Sequence, residues 1–95
     1  MAAAPESIKT YRLTDHAKIE MAHRAISEED IAAVLTSPEQ SEHIREGRQV
    51  YQSRFKKGDP PKTYLIRVFV DFDREPVAVV TVYRTSKVEK YWREE

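Results

Sequence analysis

Residues 62–72 read KTYLIRVFVDF, and the even positions Tyr64, Ile66, Val68, Val70 and Phe72 are all apolar, whereas the odd ones include Thr63, Arg67 and Asp71. A period of two marks a half-buried strand, because successive side chains leave a pleated backbone on opposite faces. The even face is therefore predicted to meet a helical layer and the odd face to lie away from it. Downstream, residues 77–85 (VAVVTVYRT) form a second strand after the turn DREP at 73–76. Upstream, 40–46 and 48–56 read as two more, broken near Gly47 and by KGDPP at 57–61. The result is an antiparallel meander. Matching core faces across its last hairpin allows two registers, which set Arg67 opposite either Thr81 or Tyr83. Either one gathers Arg67, Thr81 and Tyr83 on the face away from the helices, with Gln52 and Arg54 beside them.

The N-terminal part has a different period. Residues 8–13 (IKTYRL) alternate loosely, an optional strand, and end at Thr14-Asp15, a helix start for about 15–25. Ser27 with Asp30 forms a capping-box pattern ahead of Ile31, Val34 and Leu35, and Pro38 stops this second helix. A cap signal at Ser86 and Glu89, followed by Val88, Tyr91 and Trp92, predicts a short terminal helix, read as packing. The expected fold class is α+β, with two N-terminal helices packed on one face of a four-stranded twisted antiparallel sheet. Residues 1–95 are expected to form one domain and 1–6 to be a frayed end.

With 95 residues, 40% of them hydrophobic, the chain has room for one modest core. It has no cysteine, which removes disulfides, thiolate metal sites and a cysteine nucleophile. The longest fully apolar run, Val77 to Val80, is far too short to cross a bilayer, and no export signal opens the chain. A cytoplasmic protein without membrane contact is expected. The formal charge is zero but unevenly spread: residues 1–42 carry a net −4, 43–67 a net +5 and 68–95 a net −1. The basic middle suggests a local anion-binding surface or, equally, a solvated hairpin with a charged edge.

His16, Glu20, His23 and Arg24 fall within one arc of the first helix. A metal site, a solvated face, and a catalytic or phosphate-binding role all fit this arc, although the spacing matches no established zinc motif. Arg67 is more telling, because a cation among Leu65, Ile66, Val68 and Phe69 requires compensation, either from a carboxylate such as Asp71 or from a bound anion. Glycine-rich phosphate loops, H-E-x-x-H and G-x-S-x-G are missing.

The runs LTDHAKIEMAHRAISEEDIAAVLTSPE (13–39), IRVFVD (66–71) and VVTVYRTSKVEKYW (79–92) resemble the bacterial domain of unknown function 4258 family, small proteins similar to RelE/ParE-like toxins of the barnase-EndoU-colicin-RelE class. His16-Ala17, Arg24 to Ser27, Arg67-Val68 and Thr81 to Tyr83 carry the resemblance, and Ala25 stands where many relatives have glycine. It implies a RelE-like fold and a metal-independent endoribonuclease toxin that cleaves RNA by 2′-hydroxyl attack. His16, Arg24, Arg67 and Tyr83 are then the candidate catalytic residues, and Arg54, Arg67 and Thr81 the candidate RNA- and phosphate-binding ones. Neither metal nor cofactor is expected. The implied partners are RNA, including ribosome-bound messenger RNA, and a protein antitoxin. The alternative is a non-catalytic interaction module of the same fold.

Overall fold

A computed structural model describes residues 5–94. In chain order the elements are β1 (Tyr11–Leu13), α1 (Asp15–Arg24), α2 (Glu28–Thr36), β2 (Gln40–Arg45), β3 (Arg48–Lys57), β4 (Lys62–Asp71), β5 (Val77–Thr85) and α3 (Val88–Tyr91). The architecture is α+β. Both main helices begin where side chains satisfy free backbone donors: Thr14 Oγ1 accepts from the Ala17 N–H at 3.1 Å. Ser27 and Asp30 exchange the two bonds of a capping box at 3.0 and 3.1 Å.

The sheet differs from the expected four-stranded antiparallel meander. It has five strands in the order β1-β5-β4-β3-β2, and β1 pairs with β5 in parallel, so the sheet is mixed. The three-residue β1 is too short to reveal its partner by pattern, and only the fold brings it beside the last strand. The short terminal helix expected after Ser86 is present as α3. The fraying expected for residues 1–6 falls outside the described residues for 1–4; further on, the Ile8 N–H is tied to the Leu35 carbonyl at 2.7 Å.

On the helix-facing side, Ala17, Met21, Ile31, Val34 and Leu35 pack against Tyr51, Ile66, Val68, Val70, Val79 and Val82 in one buried cluster. Val79 reaches that cluster through a bulge. Phe69 is opposite Thr81 but Val70 is opposite Val79, so Val80 is extra and the facing of β5 inverts there. Thr14 is seated on this bulge: its N–H donates to the Val79 carbonyl at 3.1 Å and its hydroxyl to the Val80 carbonyl at 3.4 Å. Phe72, expected on the core face, lies just beyond the end of β4 and is 41% exposed, with its ring centroid 6.3 Å from that of Tyr51. The opposite face is not bare, because Val50, Leu65 and Ala78 on it are fully buried. Among the described residues no helix is long and apolar enough to cross a membrane.

Candidate functional site

The registers of the three antiparallel pairings align one transverse row of side chains on the face away from the helices. Gln40 of β2 is opposite Gln52 of β3, which is opposite Arg67 of β4, which is opposite Tyr83 of β5. Of the two registers allowed by the hydrophobic pattern, the molecule takes the one that pairs Arg67 with Tyr83. Residues Tyr91 to Arg93 lie along this row. The Gln52 amide donates to Gln40 Oε1 at 2.7 Å and to the Tyr91 carbonyl at 3.3 Å. Gln40 exchanges two bonds with the Arg93 backbone, at 2.6 and 3.2 Å.

Arg67 is 9% exposed, yet no carboxylate lies within hydrogen-bond distance of it. Its Nε donates to Gln52 Oε1 at 3.0 Å, and the nearest acidic oxygen, on Glu42, is 3.9 Å from Nη2. Asp71, the carboxylate expected to neutralise it, is engaged by Arg48 through two bonds of 2.6 and 3.0 Å. The Arg67 guanidinium instead lies against aromatic rings, 4.4 Å from the Tyr91 centroid and 5.4 Å from that of Phe69. Burial pushes its pKa below the ordinary arginine value, against the pull of Glu42 and the two tyrosines, but an arginine remains a cation at neutral pH.

Arg67 lines an open cleft of about 380 Å³ together with Arg24, Phe69, Thr81, Val82, Tyr83 and Tyr91. Arg24 comes from the helix side. It reaches the far face because β1 covers β5 only at Val77–Val79, leaving the outer edge of β5 uncovered by β1 from Val80 onward. Its guanidinium stacks 4.8 Å from the Tyr83 centroid, while Nε donates to Glu20 at 2.9 Å. Tyr83 and Tyr91 meet edge to face at 5.9 Å. Hydrogen bonding by Tyr91 and Thr85, aided by the charges of Lys90 and Arg24, draws the Tyr83 phenol below its usual range.

Residues 13–84 match the family described as Domain of unknown function (DUF4258). The chain belongs to this family. No match was found among curated proteins or among solved structures. Of the residues through which the chain resembles DUF4258, the cleft brings together Arg24, Arg67, Thr81 and Tyr83. His16 does not join them. It is exposed in the first turn of α1, and about 12 Å of helix rise separates it from Arg24. Arg54 is also elsewhere: Glu39 takes bonds from its guanidinium at 3.0 and 3.3 Å, and the Trp92 ring lies 3.9 Å beneath it. Among the described residues no three His, Asp or Glu side chains gather into a group able to hold a metal ion.

Two contributors went unread in the sequence. Phe69 sits on the odd face of β4, where alternation predicts polarity. Tyr91 belongs to a terminal stripe whose spacing alone signals packing, and only the cap signal at Ser86 hinted that the chain turns back there.

Proposed function

We propose that the protein is a metal-independent endoribonuclease of RelE-like type, with the cleft around Arg67 as its working site. The observation that carries this reading is the pairing of a buried guanidinium with a neutral amide, on the wall of an open cleft that also holds a second guanidinium, a threonine hydroxyl and a phenol of lowered pKa. Two cations near one point favour a phosphodiester, and stabilise it most as charge builds on its oxygens. In the reaction the ribose 2′-oxygen forms a bond to the adjacent phosphorus while the bond to the 5′-oxygen breaks. Arg67 and Arg24 hold the phosphate oxygens, and Thr81 donates a hydrogen bond to one of them. Tyr83, as the phenolate, takes the proton of the 2′-hydroxyl, and a solvent water in the open cleft gives its proton to the departing 5′-oxygen. His16 and Arg54 have no role in this reading.

A second reading, a binding module without catalysis, draws on one fact: with His16 distant, the cleft lacks an imidazole, the side chain best matched to proton transfer at neutral pH. Incubation with RNA, with and without EDTA, separates the two. EDTA-resistant cleavage that is lost in Arg67→Ala supports the enzyme; RNA left intact by the folded native protein overturns it. The toxin setting has its own test, growth arrest on expression that Arg67→Ala relieves.

A further inference from the structure

We infer that Gln52 and Gln40 form an amide relay that aims Arg67 and, in the same network, latches the C-terminal segment so that Tyr91 completes the wall of the cleft. The inference deepens the reading of the Arg67 cleft as a phosphate site, since it assigns what holds that site in shape.

Gln52 is 3% exposed and Gln40 7% exposed, so both amides work where an unmet hydrogen bond is costly. Each half of the Gln52 amide has a separate duty. Its oxygen takes the Arg67 Nε–H, which fixes the plane of the guanidinium and leaves the terminal nitrogens without a hydrogen bond to the described residues. Its nitrogen donates to Gln40 and to the Tyr91 carbonyl. Gln40 then treats residue 93 as a strand neighbour would: its nitrogen donates to the Arg93 carbonyl and its oxygen accepts from the Arg93 N–H.

These bonds matter because the segment buries little of its own surface. The helix α3 has only four residues, none of them buried, and its first turn has no side-chain cap. Beyond the amides, the Arg93 guanidinium donates to the Ser41 carbonyl, and ring contacts place Trp92 under Arg54 and Tyr91 against Arg67 and Tyr83. A segment held at the surface by polar and ring contacts, with no buried residue in its helix, opens more readily once a buried amide bond is removed. Gln52 and Gln40 are thus positioning residues; neither lines the cleft.

The chain carries its own reporter, because Trp92 is its sole tryptophan and lies in the latched segment. The relay is tested in the full-length protein with Gln40→Leu and Gln52→Leu, and with Gln40→Glu, which keeps the oxygen but loses the donor, should either leucine variant fail to fold. The readouts are Trp92 emission, the exchange rate of the Arg67 Nε–H by nitrogen-15 NMR, and affinity for a short fluorescein-labelled single-stranded oligoribonucleotide. Gln40→Leu and Gln40→Glu should shift Trp92 emission to the red and weaken the oligonucleotide about ten-fold. Gln52→Leu should do both and also speed exchange of the Arg67 proton. Native emission in every folded Gln40 variant overturns the latch. Unchanged exchange in Gln52→Leu overturns the aiming role, and tighter oligonucleotide binding on release would make the segment a lid and overturn its role as a wall. The two spectroscopic readouts need no RNA. If they respond as expected while the native protein ignores the oligonucleotide, the phosphate-site reading fails and the relay stands.

Discussion

Arg67 donates to the Gln52 side-chain oxygen at 3.0 Å, and that neutral amide is its only hydrogen-bond partner among the described residues. A buried cation whose nearest carboxylate, on Glu42, stands 3.9 Å away is costly to the fold, which gives the two residues unequal roles in stability. Removing the amide and leaving the cation should cost about 2–3 kcal/mol in Gln52→Leu. Arg67→Met should stay within about 1 kcal/mol of the native protein, because the lost desolvation penalty offsets the orphaned amide oxygen. The double variant should then be more stable than Gln52→Leu alone. Urea denaturation of the three variants checks the order, and a double variant weaker than Gln52→Leu would contradict it.

Ala25 supplies a second prediction. It ends α1 with φ 54° and ψ 46°, the left-handed conformation in which a Cβ meets the following carbonyl and glycine does not. Its N–H still closes the helix by donating to the Met21 carbonyl. Replacing it with glycine removes the strain and adds backbone entropy to the unfolded chain, and the first effect is larger. Ala25→Gly should raise stability by about 0.5–1 kcal/mol, read as a higher denaturation midpoint with an unchanged slope.

Acid should weaken the fold through two carboxylates. The bond from Arg48 holds Asp71 below the ordinary carboxylate range despite its burial, and the bond from Arg54 does the same for Glu39. A folded pKa below the unfolded one means that the unfolded chain binds protons first as the pH falls. The stabilisation is therefore complete above the unfolded values, about pH 4, and is lost as the pH drops through the lower folded values. Asp71→Asn should be less stable than the native protein at pH 7 and converge with it below pH 4. A constant gap across that range, followed by thermal denaturation, would remove Asp71 as a source of the acid effect.

Much of the architecture is legible in local chemistry. The Thr14 cap, the Ser27 and Asp30 box and Pro38 mark both main helices, and Gly47 and KGDPP mark the breaks between strands. What escapes is set by distant pairing. Val80 looks like any other apolar residue of β5, yet it is the extra residue that inverts the strand and seats Thr14. The parallel partner of Tyr11–Leu13 is equally invisible, because three residues encode no direction. The candidate site was half legible: alternation alone places Arg67, Thr81 and Tyr83 on one face, but the amides of Gln40 and Gln52 find the C-terminal backbone only in the folded chain.

The helical arc that groups His16 with Arg24 shows how a projection misleads, and it yields the last prediction. Eight residues on, the two side chains share a direction around α1, but the projection discards the axial rise, which sets them about 12 Å apart. One end of α1 is fixed to the β5 bulge through Thr14; the other carries Arg24 past the uncovered edge of β5 to Tyr83. Only Arg24 can therefore share a phosphate with Arg67. Arg24→Ala should weaken single-stranded oligoribonucleotide binding about ten-fold and lower the slope of log affinity against log salt by about 0.7, the loss of one phosphate contact. Glu20→Gln, which breaks the ion pair and keeps the cation, separates that effect from the local stability of α1. His16→Ala should leave affinity, salt slope and any cleavage at native levels. If His16→Ala instead matched Arg24→Ala in both quantities, the anion would bind along the exposed face of α1, and the cleft between Arg24 and Arg67 would not be its site.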